Sequence, residues 1–380
     1  MRIALTAASV LGLAACGGAV ASGDEGDNTA SSGLALETVA EGLEFPWSMV
    51  FLPSGEMLVT EREGRLRIVR DGALDPAPVS GTPEAYVANQ GGYLGLALDP
   101  AFDTNRLLYL AYSKGDDDAN HTSVIRGRLS EDGASLSGVE TIFEADAVKA
   151  RGVHFGGRLM FLPDGSLLVT LGDGFMHMDE AQSLENHFGK IVRIMPDGTT
   201  PEDNPFVGQE GAEPKIYTLG HRNVQGIAYD DETGTLFAHE HGPKGGDELN
   251  VIEPGTNYGW PEITYGVNYD GTIITNRTKK EGLAQPVEKW VPSIAPSGMT
   301  KYTGNQYPGW TGDLFIGAMN GPRGQKLVRI DLEDGAVVGQ EALLTDEGYG
   351  YRDVAEGPDG YLYLATADLD GAIFRLKPGE

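Results

Sequence analysis

From Leu36 onward the chain is a succession of short apolar runs, each set behind a turn rich in proline, aspartate and glycine. Phe51 to Thr60 (FLPSGEMLVT) is echoed by Phe161 to Thr170 (FLPDGSLLVT) and again by Glu356 to Thr366 (EGPDGYLYLAT). Looser copies join Leu98–Phe102 to Leu107–Tyr112, Tyr229–Gly234 to Thr235–His239, and Pro308–Gly312 to Asp313–Ile316. A turn followed by a short β-branched or aromatic run reads as a strand, and six such copies read as six similar β units. Spread from about Leu34 to the end, they recur every ~58 residues; a four-stranded propeller blade needs roughly 40 to 50. The expectation is an all-β six-bladed β-propeller, with four antiparallel strands per blade around a central channel. Two β-sandwiches are the alternative, but even spacing with no linker argues against them. The last copy ends at Ala372–Leu376, so a strand near Glu37–Ala40 is expected to close the ring. Helical periodicity is confined to Glu180–Phe188, enough for a turn or two.

Composition narrows the possible partners. Lys plus Arg is 28 against 56 for Asp plus Glu, a formal charge of −28. Such a chain repels nucleic acid and anionic membrane surfaces, and it can bind an anionic ligand only by gathering its few cations at one site. The single cysteine, Cys16, excludes an internal disulfide. It follows an apolar run, Ile3 to Leu13, in the sequence Leu13-Ala14-Ala15-Cys16-Gly17. That run is short of the ~20 residues of a membrane span. It resembles a bacterial lipoprotein signal over residues 1–15 with Cys16 lipidated; cleavage after Ala19-Val20-Ala21 is the alternative. Residues 16–33, rich in Gly, Ser, Asp and Glu, read as a flexible tether, leaving 34–380 as the folded domain.

Polar constellations fall beside the blade junctions. The stretch from His154 to Asp173 opens on a histidine next to Gly156-Gly157, turns at Pro163-Asp164-Gly165, and ends on the carboxylate of Gly172-Asp173-Gly174. One hairpin separates its ends, so they can return to the same rim of a sheet. A histidine oriented by a carboxylate is a common general base; a surface histidine and a turn aspartate are the plainer reading. The run from His241 to Glu248 joins a glycine-rich turn, with its exposed carbonyls, to the hard oxygens of Asp247 and Glu248. That set suits calcium better than zinc. His239 and His241 face the same way on a strand, yet zinc would need a third ligand that is not in view.

The chain resembles the soluble quinoprotein glucose and aldose-sugar dehydrogenases, which use pyrroloquinoline quinone (PQQ). The resemblance rests on His154-Phe-Gly-Gly-Arg-Leu with Gly172-Asp173, on Gly220-His-Arg-Asn-Val-Gln-Gly, on Gly242-Pro and Gly246-Asp-Glu, and on Asn257-Tyr-Gly-Trp-Pro261. It implies that His154 is the general base, Asp173 its orienting carboxylate, and Arg222 a stabiliser of charge on the quinone. Gln90, Asn223, Tyr269, Ser293, Asn320 and Arg352 are implied as further cofactor contacts. Gly242 and Pro243 are implied as carbonyl ligands of the calcium beneath the cofactor, with Glu248 and Tyr258 at a further calcium site. The reaction implied is oxidation of an aldose to a lactone, with electrons passing on to an external acceptor. The location implied is exported, periplasmic or outer-membrane-anchored. Two positions depart from the family pattern: Asn320 stands where a lysine is usual and Gly350 where an arginine is usual. Arg323 and Lys326 are the nearby cations able in principle to reach that gap. A calcium-dependent lactonase and a cell-surface binding module without chemistry are the competing readings.

Overall fold

Each copy of the repeat becomes the hairpin between the first two strands of a blade. The computed structural model describes residues 33–320 and 325–379. Strands β2 (Pro46–Phe51) and β3 (Met57–Glu61) flank the first turn, β10 (Leu159–Phe161) and β11 (Leu167–Thr170) the second, and β22 (Tyr351–Glu356) and β23 (Leu362–Thr366) the third. The three turns close alike: Gly55, Gly165 and Gly360 donate N–H to the carbonyl three residues back at 2.8, 2.9 and 2.9 Å. Those glycines take φ of +91°, +83° and +76°, where a side chain would be strained. The looser copies give β6 (Tyr93–Leu98) with β7 (Leu107–Gly115), β14 (Val224–Asp230) with β15 (Thr235–Glu240), and β18 (Pro296–Lys301) with β19 (Leu314–Asn320).

Six four-stranded antiparallel sheets result, and five run in simple sequence order outward from their first strand. The sixth is completed by β1 (Leu34–Leu43), which pairs with β24 (Gly371–Pro378), setting Leu36 opposite Leu376 and Thr38 opposite Phe374. The expected closing strand is therefore present and longer than its polar sequence suggested. First strands touch in the cycle β2, β6, β10, β14, β18, β22 and back to β2, which closes the propeller. Six apolar clusters each fill a wedge between neighbouring blades. Covered on both faces, β3, β11 and β23 are buried throughout, which is why their sequences run apolar without alternation. In place of a turn or two over Glu180–Phe188, one 3₁₀ turn spans Met178–Gln182; a four-residue helix, Phe102–Asn105, fills the β6–β7 connection.

Among the described residues no helix is long and apolar enough to cross a membrane. The signal segment, Cys16 and the tether up to residue 32 lie outside the described residues.

Candidate active site

Antiparallel order puts the start of each first strand and the end of each second strand at one edge of the blade. The loops carrying Gln90, His154, Arg222, Ser293 and Gly350 precede first strands, and those carrying Asp173 and Gly242 follow second strands. One face of the ring thus collects nearly every polar constellation noted in the sequence.

His154 and Asp173 meet because glycine lets their loops touch. A Cβ at Gly172 would come 2.2 Å from the His154 carbonyl oxygen, so no larger residue fits there. His154 sits at φ +51°, an unusual conformation for a non-glycine residue, and its N–H donates to Gln90 Oε1 at 2.8 Å. Its Nδ1 lies 2.6 Å from Asp173 Oδ1. The second carboxylate oxygen accepts the Trp260 indole N–H at 2.8 Å, and the Phe175 N–H reaches Oδ1 at 2.8 Å. Both members are almost fully covered, at 5% and 1% exposure. Burial would raise the Asp173 pKa, but the hydrogen bond and charge of His154 and the charge of Arg222 bring it below the usual value. Burial lowers that of His154; Asp173 opposes the shift, while Arg222 and Lys149 add to it. Lys149 is itself buried over the Phe155 ring, 3.8 Å from its centroid, and burial pushes its pKa down to about 7.

Two adjoining cavities that share His241 as a wall take up most of the other predicted residues. Gln90, Asn223 and Arg352 line one of about 220 Å³, together with Trp47 and Arg62. Gly242, Pro243, Tyr269, Ser293 and Asn320 line a wider one of about 610 Å³, together with Lys244. Arg222 stands close by, its guanidinium carbon 5.5 Å from the Trp260 ring centroid and 5.9 Å from that of Tyr269. It donates to the carbonyls of Gly242 at 2.6 Å and His241 at 3.1 Å. Asn223 Oδ1 accepts the Gly156 N–H at 3.1 Å, so this residue also braces the histidine loop. Two guanidiniums lie against the Trp47 ring, Arg158 at 4.2 Å and Arg352 at 4.6 Å from its centroid. Arg158 is paired with Asp353 at 2.6 Å, whereas Arg352 bonds only Ser297 Oγ and Met319 Sδ among the described side chains. Burial and the charge of Arg158 push the Arg352 pKa down, and the charge of Asp353, which is hydrogen-bonded to Arg158, only partly opposes the shift. The smaller cavity has two arginines and no carboxylate among its walls, in a chain of charge −28. An anionic, flat cofactor such as PQQ fits that arrangement.

The acidic turn divides its labour. Asp247 accepts from Gly242 N–H at 2.9 Å and from Ile294 and Ala295 N–H at 2.8 and 3.1 Å, so it braces two loops. Glu248 lies opposite Glu240 in the β15–β16 ladder, where β16 is Asp247–Val251. Both line a small cavity of about 10 Å³ with Tyr258 and Gly242. Burial and the Glu240 charge push the Glu248 carboxyl up to about 8. Two buried carboxylates sharing a space of one water's size fit a hard cation. Glu240 is also tied to His221 Nδ1 at 2.9 Å. The Tyr258 hydroxyl is spent on Val251 O (2.7 Å) and Glu253 N–H (2.9 Å), so a metal could meet only its backbone carbonyl. Among the described residues no three His, Cys, Asp or Glu side chains converge as a metal cluster. His241 Nε2 is engaged by Pro296 O at 2.7 Å.

At the two departures, the Asn320 amide donates to Ser293 O at 2.7 Å, and Gly350 presents no side chain. Lys326 lines neither of the two larger cavities, and Arg323 lies outside the described residues. Sequence reasoning missed the roles of Trp260, Glu240, Lys149 and Arg62. Trp260 stood inside the Asn257–Pro261 motif and Glu240 between the two histidines His239 and His241, whereas nothing in the local sequence marks Lys149 or Arg62.

Comparison with known proteins agrees with this geometry. Residues 43–375 match the family described as Glucose / Sorbosone dehydrogenase. The chain is 39% identical over 347 residues to the aldose sugar dehydrogenase YliI of Escherichia coli, covering 90% of this chain and 92% of that one. It is 42% identical over 358 residues to an uncharacterised Synechocystis protein, slr1608, covering 89% and 85% respectively. The crystal structure of the apo-form E. coli aldose sugar dehydrogenase superposes with a TM-score of 0.87 at 38% identity, over 91% of this chain and 99% of that one. The PQQ-bound aldose sugar dehydrogenase of Streptomyces coelicolor gives 0.75 at 30% identity, over 90% and 97%. A match across so much of the chain, on the same six-bladed frame, shows that this protein belongs to the glucose/sorbosone dehydrogenase family.

Proposed function

We propose that this chain oxidises the anomeric hydroxyl of aldose sugars to give the lactone, using PQQ and calcium, with His154 as general base. The observation that carries this reading is the relay from Trp260 through Asp173 to His154 at the face where the cavities open. An ionised carboxylate can only accept, so the shared proton sits on Nδ1 and leaves Nε2 free to take the sugar hydroxyl proton. Burial favours the neutral imidazole, the form a base must have. When bound, the quinone supplies the acceptor for the hydride. Gln90, Asn223, Tyr269, Ser293 and Arg352 would wall it in, with Arg222 offering positive charge and Asn320 standing at a usually basic position. The Gly242 and Pro243 carbonyls would hold calcium beside it, and Glu248 with the Tyr258 backbone would hold another. The PQQ-bound Streptomyces relative supports the cofactor assignment. The lactonase reading lacks a converging ligand set among the described residues. Export and a lipid anchor belong to the same proposal and rest on the Leu13–Cys16 motif alone.

The test is reconstitution: purified protein with calcium, PQQ, a panel of aldoses and a dye as external acceptor. Turnover that needs both additions is expected. Sugar oxidation without the quinone, or none with it, would overturn the assignment.

A further inference from the structure

Resting on the quinone reading above, we propose that Arg62, on the first blade, supplies a cationic contact to a cofactor carboxylate that Gly350 cannot give. Arg62 follows β3 and reaches the face where the other site loops gather. It shares the smaller cavity with Gln90, Asn223 and Arg352. Position 350 addresses the same space. A Cβ built on Gly350 would lie 3.3 Å from Met319 Cα and 3.6 Å from Ala367 Cβ, and Met319 and Ala367 are walls of that cavity. The Gly350 carbonyl accepts the Ala367 N–H at 2.8 Å, and the next residue, Asp368, accepts the Phe45 N–H at 2.9 Å. Phe45 in turn lies under the Arg62 guanidinium, 4.1 Å from its carbon. Arg62 therefore borders the same cavity whose walls, Met319 and Ala367, a side chain at 350 would touch first.

The residue is also held and left unused. Its N–H donates to the Phe45 carbonyl at 3.0 Å, and Gly92 packs so tightly that a Cβ there would come 1.6 Å from the Arg62 carbonyl oxygen. Its guanidinium makes no hydrogen bond among the described residues, and Glu63, at 3.8 Å, is its sole carboxylate within 4 Å. That ion pair is a third exposed and contributes little. Arg352 faces the same cavity, and the two cations repel each other. An entering carboxylate relieves that repulsion, and charge-assisted hydrogen bonds are the strong ones.

Calcium-loaded apoprotein is titrated with PQQ and with its trimethyl ester, reading tryptophan quenching and absorbance. In wild type the free acid binds more tightly than the ester. Arg62→Gln should weaken the free acid about ten- to a hundredfold, the value of one charged hydrogen bond, with little change for the ester. Adding Gly350→Arg to Arg62→Gln should restore most of the loss, with melting temperature as the folding check. Unchanged binding of the free acid by a folded Arg62→Gln, or equal weakening of acid and ester, overturns the role of Arg62. Wild type that binds neither form overturns the quinone reading itself, and this inference with it.

Discussion

The Trp260 indole N–H donates to Oδ2 of Asp173 at 2.8 Å across 87 residues of sequence, while the other carboxylate oxygen meets His154 Nδ1 and the Phe175 N–H. That contact fixes the acid in its plane and keeps it from rotating away from the imidazole. Trp260→Phe keeps the packing and removes the bond. The expected result is kcat roughly tenfold lower with quinone affinity nearly unchanged, in line with ~1.5 kcal/mol for a hydrogen bond to a charge. A stopped-flow comparison of cofactor-saturated proteins checks it, and an unchanged kcat removes Trp260 from the relay.

The pH profile follows from the same group. With His154 as the proposed base, activity should be full above the histidine pKa, where the imidazole is neutral, and fall as pH drops through it. Burial, Arg222 and Lys149 lower that pKa, so the acid limb of kcat/KM lies below the ordinary value of about 6.5. Lys149→Met removes one of the opposing charges and should move the limb toward neutral pH. Asp173→Asn removes the group that supports the imidazolium and should move it further into acid while cutting the rate. A limb at or above pH 7 in wild type contradicts this account.

Calcium should raise the melting temperature, because an ion bound only by the folded state stabilises it by mass action. Glu248→Gln, which leaves Glu240 alone in the small cavity, should shrink that rise. Calorimetry with and without chelator decides; identical shifts in both proteins remove Glu248 from the cation site.

His187 makes a separate, structural prediction. It accepts the Asp146 N–H at 2.9 Å through Nδ1, and burial pushes its pKa down to about 4. Below about pH 6.5 the unfolded chain takes up a proton that the folded chain refuses, so stability falls with pH across that window. The contribution is on the order of 3 kcal/mol. His187→Phe should be less stable than wild type at pH 7 by about 1 kcal/mol for the lost hydrogen bond. The gap should close or reverse near pH 4. A gap independent of pH would falsify the assignment.

The ring was legible because its signal is local and repeated: the Gly55, Gly165 and Gly360 turns each fix one hairpin, and copying the hairpin builds the propeller. The closing pair of β1 with β24 was legible for a topological reason, since a ring needs its ends joined. Motif resemblance brought out His154, Asp173, Arg222 and the Gly242 turn. What stayed hidden depends on contacts between distant segments. Nothing near Trp260 says that its N–H meets Asp173, and nothing near Arg62 says that it lines a cavity with Gln90, Asn223 and Arg352. Asp247 and Glu248 are adjacent acids of similar chemistry; only the strand's alternation sends one to brace loops and the other to the small cavity. The helix over Glu180–Phe188 shrank to one 3₁₀ turn as that segment's groups were drawn into tertiary contacts. Lys190 Nζ takes the carbonyls of Glu180 and Ala181 at 3.0 and 3.1 Å.

The central claim is that His154 removes the sugar proton while other residues hold the cofactor. One experiment separates the two roles: quinone uptake and aldose turnover measured side by side for wild type and His154→Ala, both loaded with calcium. The account predicts equal uptake and turnover lowered roughly 10²- to 10⁴-fold, the usual value of a positioned general base. A His154→Ala protein that binds the quinone and oxidises aldoses at the wild-type rate would contradict it.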